Sequence, residues 1–282
     1  MSKKKRNKTI RRKLRFVFGN NKLSRNIATF SLPAGHSCPF ALDCLSKANR
    51  LTGKVTDGKD TKFRCFAAMA EAAFTSVRKL RWQNLELLRK AGNIEKMTEL
   101  IQTSIPFGTT IIRIHASGDF YTERYFLAWL NVAYNYPAIV FYGYTKAVSY
   151  LVKYKDIIPS NFRITASKGG KHDHLIKEHN LKYAEVVFSK EQADAMGLEL
   201  DDDDSHAIKF TKSFALLLHG TQPEGSIAAS ALSTLRKQGH TGYGDDYHSN
   251  KATFTLPVIH FTLDKENNLI NITKPLITNV SA

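Results

Sequence analysis

Three cysteines and one histidine are the side chains of this sequence whose types and spacing best suit metal chemistry. Cys38, Cys44 and Cys65 are the only cysteines of the 282-residue chain, and His36 lies just before the first of them. An odd number of thiols leaves one over in any disulfide pairing, and thiolates are favoured ligands of zinc and of iron–sulfur clusters. The pattern therefore predicts a metal-binding loop at residues 36–65.

The spacing of these residues leaves the ligand set open. Three thiolates would hold a [4Fe–4S] cluster with one iron free for a substrate or cofactor, whereas three thiolates with His36 form the Cys3His set of a structural zinc ion. A third interpretation takes the cysteines as unrelated buried thiols, since free cysteines often pack as small hydrophobes. Residues 45–62 are predicted to form an exposed excursion, and a long helix is expected from Cys65 to Gly92. The start of this helix at Cys65 favours a ligand role, because the helix dipole stabilises a thiolate at its N-terminus.

Polar residues follow the strand that we predict at 109–115. Ser117, Gly118 and Asp119 come directly after it, and the carboxyl ends of parallel strands are where α/β folds place their ligand-binding groups. Asp119 would accept a hydrogen bond from an amino or hydroxyl group, and Gly118 would let backbone approach a ligand. The alternative is that Ser117 or Asp119 caps the helix that follows.

The next predicted strand, at 138–142, leads to a second group of this kind. Tyr144 and Lys146 follow it and place an aromatic ring near a cation. Such a pair suits a nucleic-acid base or a phosphate, so we expect these two residues to bind a cofactor or substrate.

Strands and helices alternate along most of the chain, which predicts an α/β fold with a mainly parallel sheet. We expect a partial or complete (β/α) barrel with its ligand site at the carboxyl ends of the strands. Residues 16–282 would form one domain. Short strands are predicted at 16–18 and 26–32, further strands at 109–115, 138–142, 162–166, 184–188 and 214–219, and antiparallel strands between 254 and 272.

The chain is strongly basic, with 41 Lys and Arg against 25 Asp and Glu and a formal charge of +16. This excess points to a polyanionic partner, and we expect a nucleic acid or a nucleotide. We predict a disordered arm at residues 1–15 that neutralises phosphates. The acidic run at 201–204 is interpreted as a solvated loop. The cations assigned to nucleic acid are Lys3, Lys4, Lys5, Arg6, Arg11, Arg12, Lys13 and Arg15.

No apolar run of the sequence approaches the ~20 residues that span a bilayer, and the first residues lack the hydrophobic segment of a secretory signal. We therefore expect a cytoplasmic protein without a membrane partner. Thiols stay reduced in that compartment, which again favours ligands over disulfides.

The sequence resembles the bacteriophage gene-product-88-like proteins over roughly residues 16–240. This resemblance implies a phage or mobile-element origin, and hence a location in the host cytoplasm. The motifs that carry it are Cys38-Pro39-x4-Cys44, Cys65-Phe66-Ala67, His115-x-Ser117-Gly118-Asp119-Phe120 and Phe141-Tyr142-x-Tyr144-Thr145-Lys146.

A looser similarity links the chain to radical S-adenosylmethionine enzymes, which carry a three-cysteine cluster loop ahead of a partial α/β barrel. The similarity implies a [4Fe–4S] cluster and S-adenosylmethionine, with residues 117–120 holding the methionine amine of that cofactor. The usual cluster motif of those enzymes is C-x3-C-x2-C, whereas Cys38, Cys44 and Cys65 are spread over a longer stretch.

Three functions follow from these patterns. The leading one is an iron–sulfur enzyme, resembling the radical S-adenosylmethionine class, that acts on a nucleic acid or nucleotide. The alternative is a zinc-stabilised nucleic-acid-binding protein of phage replication or host takeover. The third is a metal-dependent nuclease using His115 and Asp119, with the acidic run at 201–204 as a further source of ligands, because histidine and carboxylate side chains at strand ends suit hydrolytic metal ions.

Overall fold

The computed structural model describes residues 12–19 and 26–240, together with the backbone of two further strands at 260–263 and 269–272. Strands and helices alternate through these ranges, as the sequence predicts. The strands are β1 (Val17–Phe18), β2 (Ile27–Ser31), β3 (Ser46–Ala48), β4 (Val55–Asp57), β5 (Ile111–Ser117), β6 (Val140–Thr145), β7 (Phe162–Ser167), β8 (Tyr183–Val187), β9 (Phe214–Leu217), β10 (His260–Leu263) and β11 (Leu269–Ile272).

The helices lie between these strands. No helix in the described ranges is long and apolar enough to cross a bilayer. They are α1 (Phe66–Ala73), α2 (Thr75–Ala91), α3 (Ile94–Gln102), α4 (Glu123–Asn135), α5 (Val148–Lys153), α6 (His174–Glu178), α7 (Lys190–Ala195), α8 (Ser205–Lys209) and α9 (Ile227–Lys237).

Seven strands form one sheet in the order β1, β2, β5, β6, β7, β8, β9. The β1–β2 pair is antiparallel and the other neighbours are parallel, so the predicted α/β fold with a mainly parallel sheet is confirmed. A barrel requires its first and last strands to pair. Over the described part of the chain β1 and β9 do not pair with each other, and β9 is instead bridged by Leu200, so the barrel-like arrangement is not confirmed.

The order of the parallel strands never reverses, and the helices α2 to α6 pack on one face of the sheet. A sheet without a reversal has no switch-point crevice, so its ligand groups can meet only at the edge formed by the carboxyl ends of its strands. Buried aromatic rings pack this layer of helices against the sheet. Trp129 of α4 lies 5.5 Å from Phe30 of β2 and 6.1 Å from Phe141 of β6, measured between ring centroids.

The opposite face of the sheet carries a buried ion pair. Arg113 of β5 places Nη1 2.7 Å from Oδ2 of Asp204, and the hydroxyls of Tyr142 and Tyr144 donate to the same carboxylate at 3.0 Å each. The interpretation of residues 201–204 as a solvated loop is therefore wrong for Asp201 and Asp204, which are 2% and 0% exposed. A cation buried on a sheet face requires such a carboxylate.

Two local predictions differ from the structure. The long helix expected from Cys65 to Gly92 is divided at Phe74, whose extended backbone (φ −121°, ψ 105°) separates α1 from α2. The stretch at 45–62, expected to be an exposed excursion, does expose its lysines but also contains the antiparallel hairpin of β3 and β4. The break at Phe74 could not be predicted from helix propensity, because phenylalanine is an ordinary helix residue.

The predicted basic arm is described only from residue 12 onward, and Lys3, Lys4, Lys5, Arg6 and Arg11 lie outside the described residues. Arg12, Lys13 and Arg15 are exposed. Leu14 between them is buried in the main core, and its N–H donates to Ser104 Oγ at 2.9 Å. This end of the arm is therefore docked on the domain and is not disordered.

Candidate metal centre

The three cysteines converge at the carboxyl edge of the sheet. Asp119, just after β5, raises the pKa of Cys38 by charge repulsion, and Lys146, just after β6, lowers the pKa of Cys44 by attraction; burial is the larger influence on both groups. Thiolate charge on Cys65 would also repel charge on both other cysteines. The three thiols therefore lie within electrostatic reach of one another, as the metal-loop hypothesis requires.

Each thiol has its own group that favours the anionic form. The backbone N–H of Gly35 donates to Cys38 Sγ at 3.3 Å, and the buried ammonium of Lys146 acts on Cys44. Cys65 is the N-cap of α1, as predicted, so the first amides of that helix lower its pKa. Hydrogen bonds and positive charge of this kind are the protein's means of stabilising cluster sulfurs.

Burial opposes ionisation at all three thiols. It raises the pKa of Cys38 well above the ordinary value, that of Cys44 to about 11, and that of Cys65 as well. The cysteine residues as a whole are nevertheless partly exposed, so the loop lies near the surface. A metal that binds here must displace protons from neutral thiols.

The segment between the first two cysteines is fastened to the loop after β7. Backbone N–H groups of Leu42 and Asp43 both donate to Gly169 O at 3.0 Å, and Lys171 N donates to Phe40 O at 2.9 Å. Gly169 has φ +92°, and a Cβ added there would lie 2.8 Å from Asp43 Cβ. The backbone of this loop thus fixes the position of Cys44.

The third cysteine is clamped by residues far away in the sequence. Cys65 N donates to Ser46 Oγ at 3.2 Å. Its neighbour Arg64 donates its backbone N–H to Gln222 Oε1 at 2.7 Å, and Gln222 Nε2 donates back to Arg64 O at 3.3 Å. The loop after β9 therefore belongs to the site, although no sequence pattern pointed to Gln222.

A buried ion pair lies beneath the cysteine loop and was also missed. Glu71 of α1 is fully buried, and its Oε1 accepts hydrogen bonds from Arg81 Nη1 at 2.9 Å and from Ala34 N at 2.8 Å. Ser117 Oγ lies 3.4 Å from the same oxygen. The sequence feature that could have indicated this ion pair is the single glutamate in the otherwise apolar segment 66–73. Glu71 links α1, α2, β5 and the cysteine loop.

Ser117 and Asp119 lie at the centre but are engaged by protein groups. Ser117 Oγ donates to Leu32 O at 2.8 Å. Asp119 Oδ1 accepts from Thr145 Oγ1 at 2.5 Å and from Phe120 N at 2.7 Å, and Oδ2 accepts from Lys146 N at 2.8 Å. The capping alternative is wrong, because Thr122 caps α4.

Gly118 sits at the closest approach between β5 and the cysteine loop. It has φ +88°, and an added Cβ would lie 2.6 Å from Ser37 Oγ and 2.7 Å from Leu32 Cβ.

Because the costs of positive φ and steric overlap add, we expect Gly118→Ala to lower the free energy of unfolding by about 2–4 kcal/mol in urea titrations. Gly197→Ala is the matched control: φ is +65° and nothing lies within 4 Å of the added Cβ, so it should cost only about 1–2 kcal/mol. Equal losses of stability in the two variants would contradict the close packing around Gly118.

Lys146 and Tyr144 do not act together. Lys146 Nζ donates to Ser167 Oγ at 3.1 Å, Ser167 O at 3.3 Å and Lys168 O, on the side of Cys44. The Tyr144 hydroxyl donates to Asp204 in the cluster with Arg113. Residues two apart on a strand share a face, but Lys146 lies beyond the end of β6. Lys146 is therefore part of the metal centre, whereas Tyr144 belongs to the ion-pair cluster.

His36 lies beside the centre, with its Nε2 3.0 Å from Ala48 O and its ring 4.9 Å from that of Trp82. Within residues 12–19 and 26–240, no three His, Cys, Asp or Glu side chains are grouped closely enough to hold a single metal ion. A closed Cys3His zinc set is thus not assembled in this conformation.

His115 is removed from the centre by its backbone. Its φ of 63° turns the ring into the aromatic core, where Nε2 lies 2.9 Å from the Tyr125 hydroxyl and burial lowers the pKa to about 3. The nuclease hypothesis requires His115 and Asp119 on one metal ion, and this arrangement separates them.

Comparisons with known proteins agree with the sequence resemblance. A family model described as Gene product 88 matches residues 2–238. The Gene 88 protein of Mycobacterium phage D29 is 24% identical over 186 residues, which cover 58% of this chain and 68% of that protein. No solved structure matches at a significant level. The similarity to radical S-adenosylmethionine enzymes gains no support from these comparisons.

Proposed function

The chain belongs to the Gene product 88 family, and we propose that it is an iron–sulfur enzyme in which Cys38, Cys44 and Cys65 bind a [4Fe–4S] cluster. The observation that carries this proposal is the convergence of three thiols at the carboxyl edge of the sheet, each beside its own hydrogen-bond donor or cation. Unrelated buried cysteines would not require such partners.

The available ligands favour a cluster over a single zinc ion. A structural zinc site needs a fourth protein ligand, and the candidate, His36, has its Nε2 3.0 Å from Ala48 O. Three thiolates would hold a [4Fe–4S] cluster with one iron left open.

Three ligands leave one iron for an exogenous ligand, and the cysteine residues are partly exposed. We propose S-adenosylmethionine as that ligand and a nucleic acid or nucleotide as the substrate. When bound, such a cluster supplies an electron for reductive cleavage of that cofactor. Asp119 Oδ2, which accepts one hydrogen bond from Lys146 N, is the oxygen that would receive the methionine amine.

Groups of the protein would stabilise the negative charge of the three thiolates once a cluster is bound. Lys146 is 7% exposed, and its ammonium offsets negative charge beside Cys44. The amides at the start of α1 and the N–H of Gly35 do the same for Cys65 and Cys38. Buried anions are tolerated only where such partners are fixed.

The test is the iron, zinc and acid-labile sulfide content of protein purified without oxygen, compared with a Cys38→Ser, Cys44→Ser, Cys65→Ser variant. We expect about four iron and four sulfide per chain, because a [4Fe–4S] cluster contains four of each, and we expect both to be lost in the variant, which lacks all three thiolate ligands. Reduced protein should then release 5′-deoxyadenosine from S-adenosylmethionine, and Asp119→Asn should weaken cofactor binding without loss of iron. One zinc per chain without sulfide would overturn the proposal and favour the zinc-stabilised binding protein.

A further inference from the structure

The hairpin of β3 and β4, between the second and third cysteines, is an exposed and strongly basic element. Residues 45–62 contain five Lys or Arg and two Asp, and one of these carboxylates, Asp57, is bonded to Arg64. All five cations are exposed. They are Lys47, Arg50, Lys54, Lys59 and Lys62.

The pairing of the two strands places cations on one face. Lys47 is opposite Thr56, and Lys54 is two residues before Thr56, so alternation puts all three on the same side of the hairpin. Ser46 and Ala48, which flank Lys47, are buried on the other side. The hairpin therefore packs on the domain by one face and presents lysines to solvent on the other.

A buried arginine holds the hairpin turn rigidly. Arg78 of α2 is 4% exposed; its Nε donates to Arg50 O at 3.0 Å, and its guanidinium also donates to Leu51 O at 3.4 Å and to Glu71 O. Gly53, at φ +79°, allows this contact, because a Cβ there would lie 2.7 Å from Arg78 Nη1. The cations are thus presented by a fixed platform, which reduces the entropy lost on binding.

The platform directly adjoins the metal centre. Ser46 Oγ accepts from Cys65 N, Ala48 O lies 3.0 Å from His36 Nε2, and a Cβ on Gly35 would lie 2.3 Å from Ser46 O. These contacts come from the buried face, but Lys47 on the other face also borders the cysteine loop, because a Cβ on Gly35 would lie 2.6 Å from Lys47 Cγ. A polyanion bound at Lys47 would therefore lie next to the residue whose N–H donates to Cys38.

We infer that this hairpin, residues 46–57 with Lys59, binds the phosphate backbone of a nucleic acid and delivers it to the metal centre. The inference rests on the proposed function, since it names the substrate-binding surface of that enzyme. Several fixed cations on a β-ribbon suit a phosphodiester chain. Within residues 46–57 only Leu51 is an exposed large apolar side chain, whereas binding in a lipid interface requires an apolar face.

The test measures binding of a fluorescent 20-nucleotide single strand to the full chain by anisotropy over a range of salt concentrations. For the triple variant Lys47→Ala, Lys54→Ala, Lys59→Ala we expect at least a tenfold loss of affinity. The magnitude of the slope of log K against log salt should fall by about 2, because each of the three lost phosphate contacts contributes about 0.7. The control is Lys155→Ala, Lys190→Ala, Lys237→Ala, which removes equal charge from exposed positions outside the hairpin and should leave the slope nearly unchanged.

Equal losses in both lysine variants would overturn the inference, because they would show a general charge effect. It would also be overturned if the hairpin variant lost binding to phosphatidylserine vesicles while keeping its oligonucleotide affinity. The triple cysteine variant separates this inference from the proposed function: with far-UV circular dichroism unchanged, it should keep oligonucleotide binding whether or not the wild type carries a cluster.

Discussion

Asp204→Asn is expected to lower the free energy of unfolding by about 3–5 kcal/mol, because it leaves a buried arginine without its carboxylate. Asp204 is fully buried and forms a 2.7 Å ion pair with Arg113, whose side chain is only 11% exposed. Two tyrosine hydroxyls donate to the same carboxylate, and an amide cannot accept on both of its polar atoms. Asparagine keeps the side-chain shape and tolerates the left-handed backbone at this position (φ 63°), so the loss reports charge and hydrogen bonding.

The measurement is urea unfolding followed by circular dichroism, with Asp202→Asn as the matched control. Asp202 is exposed in the same acidic run, so its loss should stay within about 0.5 kcal/mol. The double variant Asp204→Asn, Arg113→Met should recover part of the stability, because both buried charges are then gone. A loss below about 1 kcal/mol for Asp204→Asn, or no coupling in the double variant, would contradict the buried ion pair.

This ion pair has a structural consequence for the site. Asp204 is the N-cap of α8, on the crossover from β8 to β9, and Arg113 lies on β5, which leads to Ser117 and Asp119. The pair therefore ties that crossover to the central strand, and the loop after β9 in turn supplies Gln222 to the third cysteine. The ion pair on one face of the sheet is therefore connected, through β5 and β9, to the residues around the candidate metal centre.

The sequence predicted those parts of the fold that depend on local periodicity. Strands such as β5 and β6 are rich in β-branched and aromatic residues, which favour strands, and Gly92 ends α2 as expected. The hairpin of β3 and β4 was missed because a polar, basic segment resembles a loop. Its strand structure depends on packing against α1 and on Arg78, which lies outside the segment.

The candidate metal centre could be located from its cysteines, but its surroundings could not be predicted. Cysteines are rare enough for their spacing to be informative, so Cys38, Cys44 and Cys65 stood out. Gln222 and the Glu71–Arg81 pair act across the fold, and ordinary polar residues carry no signal of such contacts. Asp201 and Asp204 were misassigned for the same reason, since only the fold shows that Arg113 is buried near them.

In protein free of metal, Cys44 is expected to react with iodoacetamide at pH 8 on the order of 100-fold more slowly than an exposed cysteine. Alkylation requires the thiolate. Burial raises the pKa of Cys44 to about 11, so the thiolate fraction at pH 8 is about 10⁻³, compared with about 0.2 for a free cysteine of pKa about 8.5. Because the pKa is raised, the rate should increase about tenfold per pH unit and level off only near pH 11.

Mass spectrometry of each cysteine-containing peptide measures these rates separately, and the chain unfolded in urea provides the unperturbed reference. Lys146→Met should slow Cys44 further, because it removes the cation that most lowers the pKa of this thiol, while Cys65, which depends on the amides of α1, should change little. A rate that levels off near pH 8 would contradict the raised pKa. That outcome would instead indicate a preformed thiolate, which is the property of a nucleophilic cysteine and not of a buried ligand awaiting its metal.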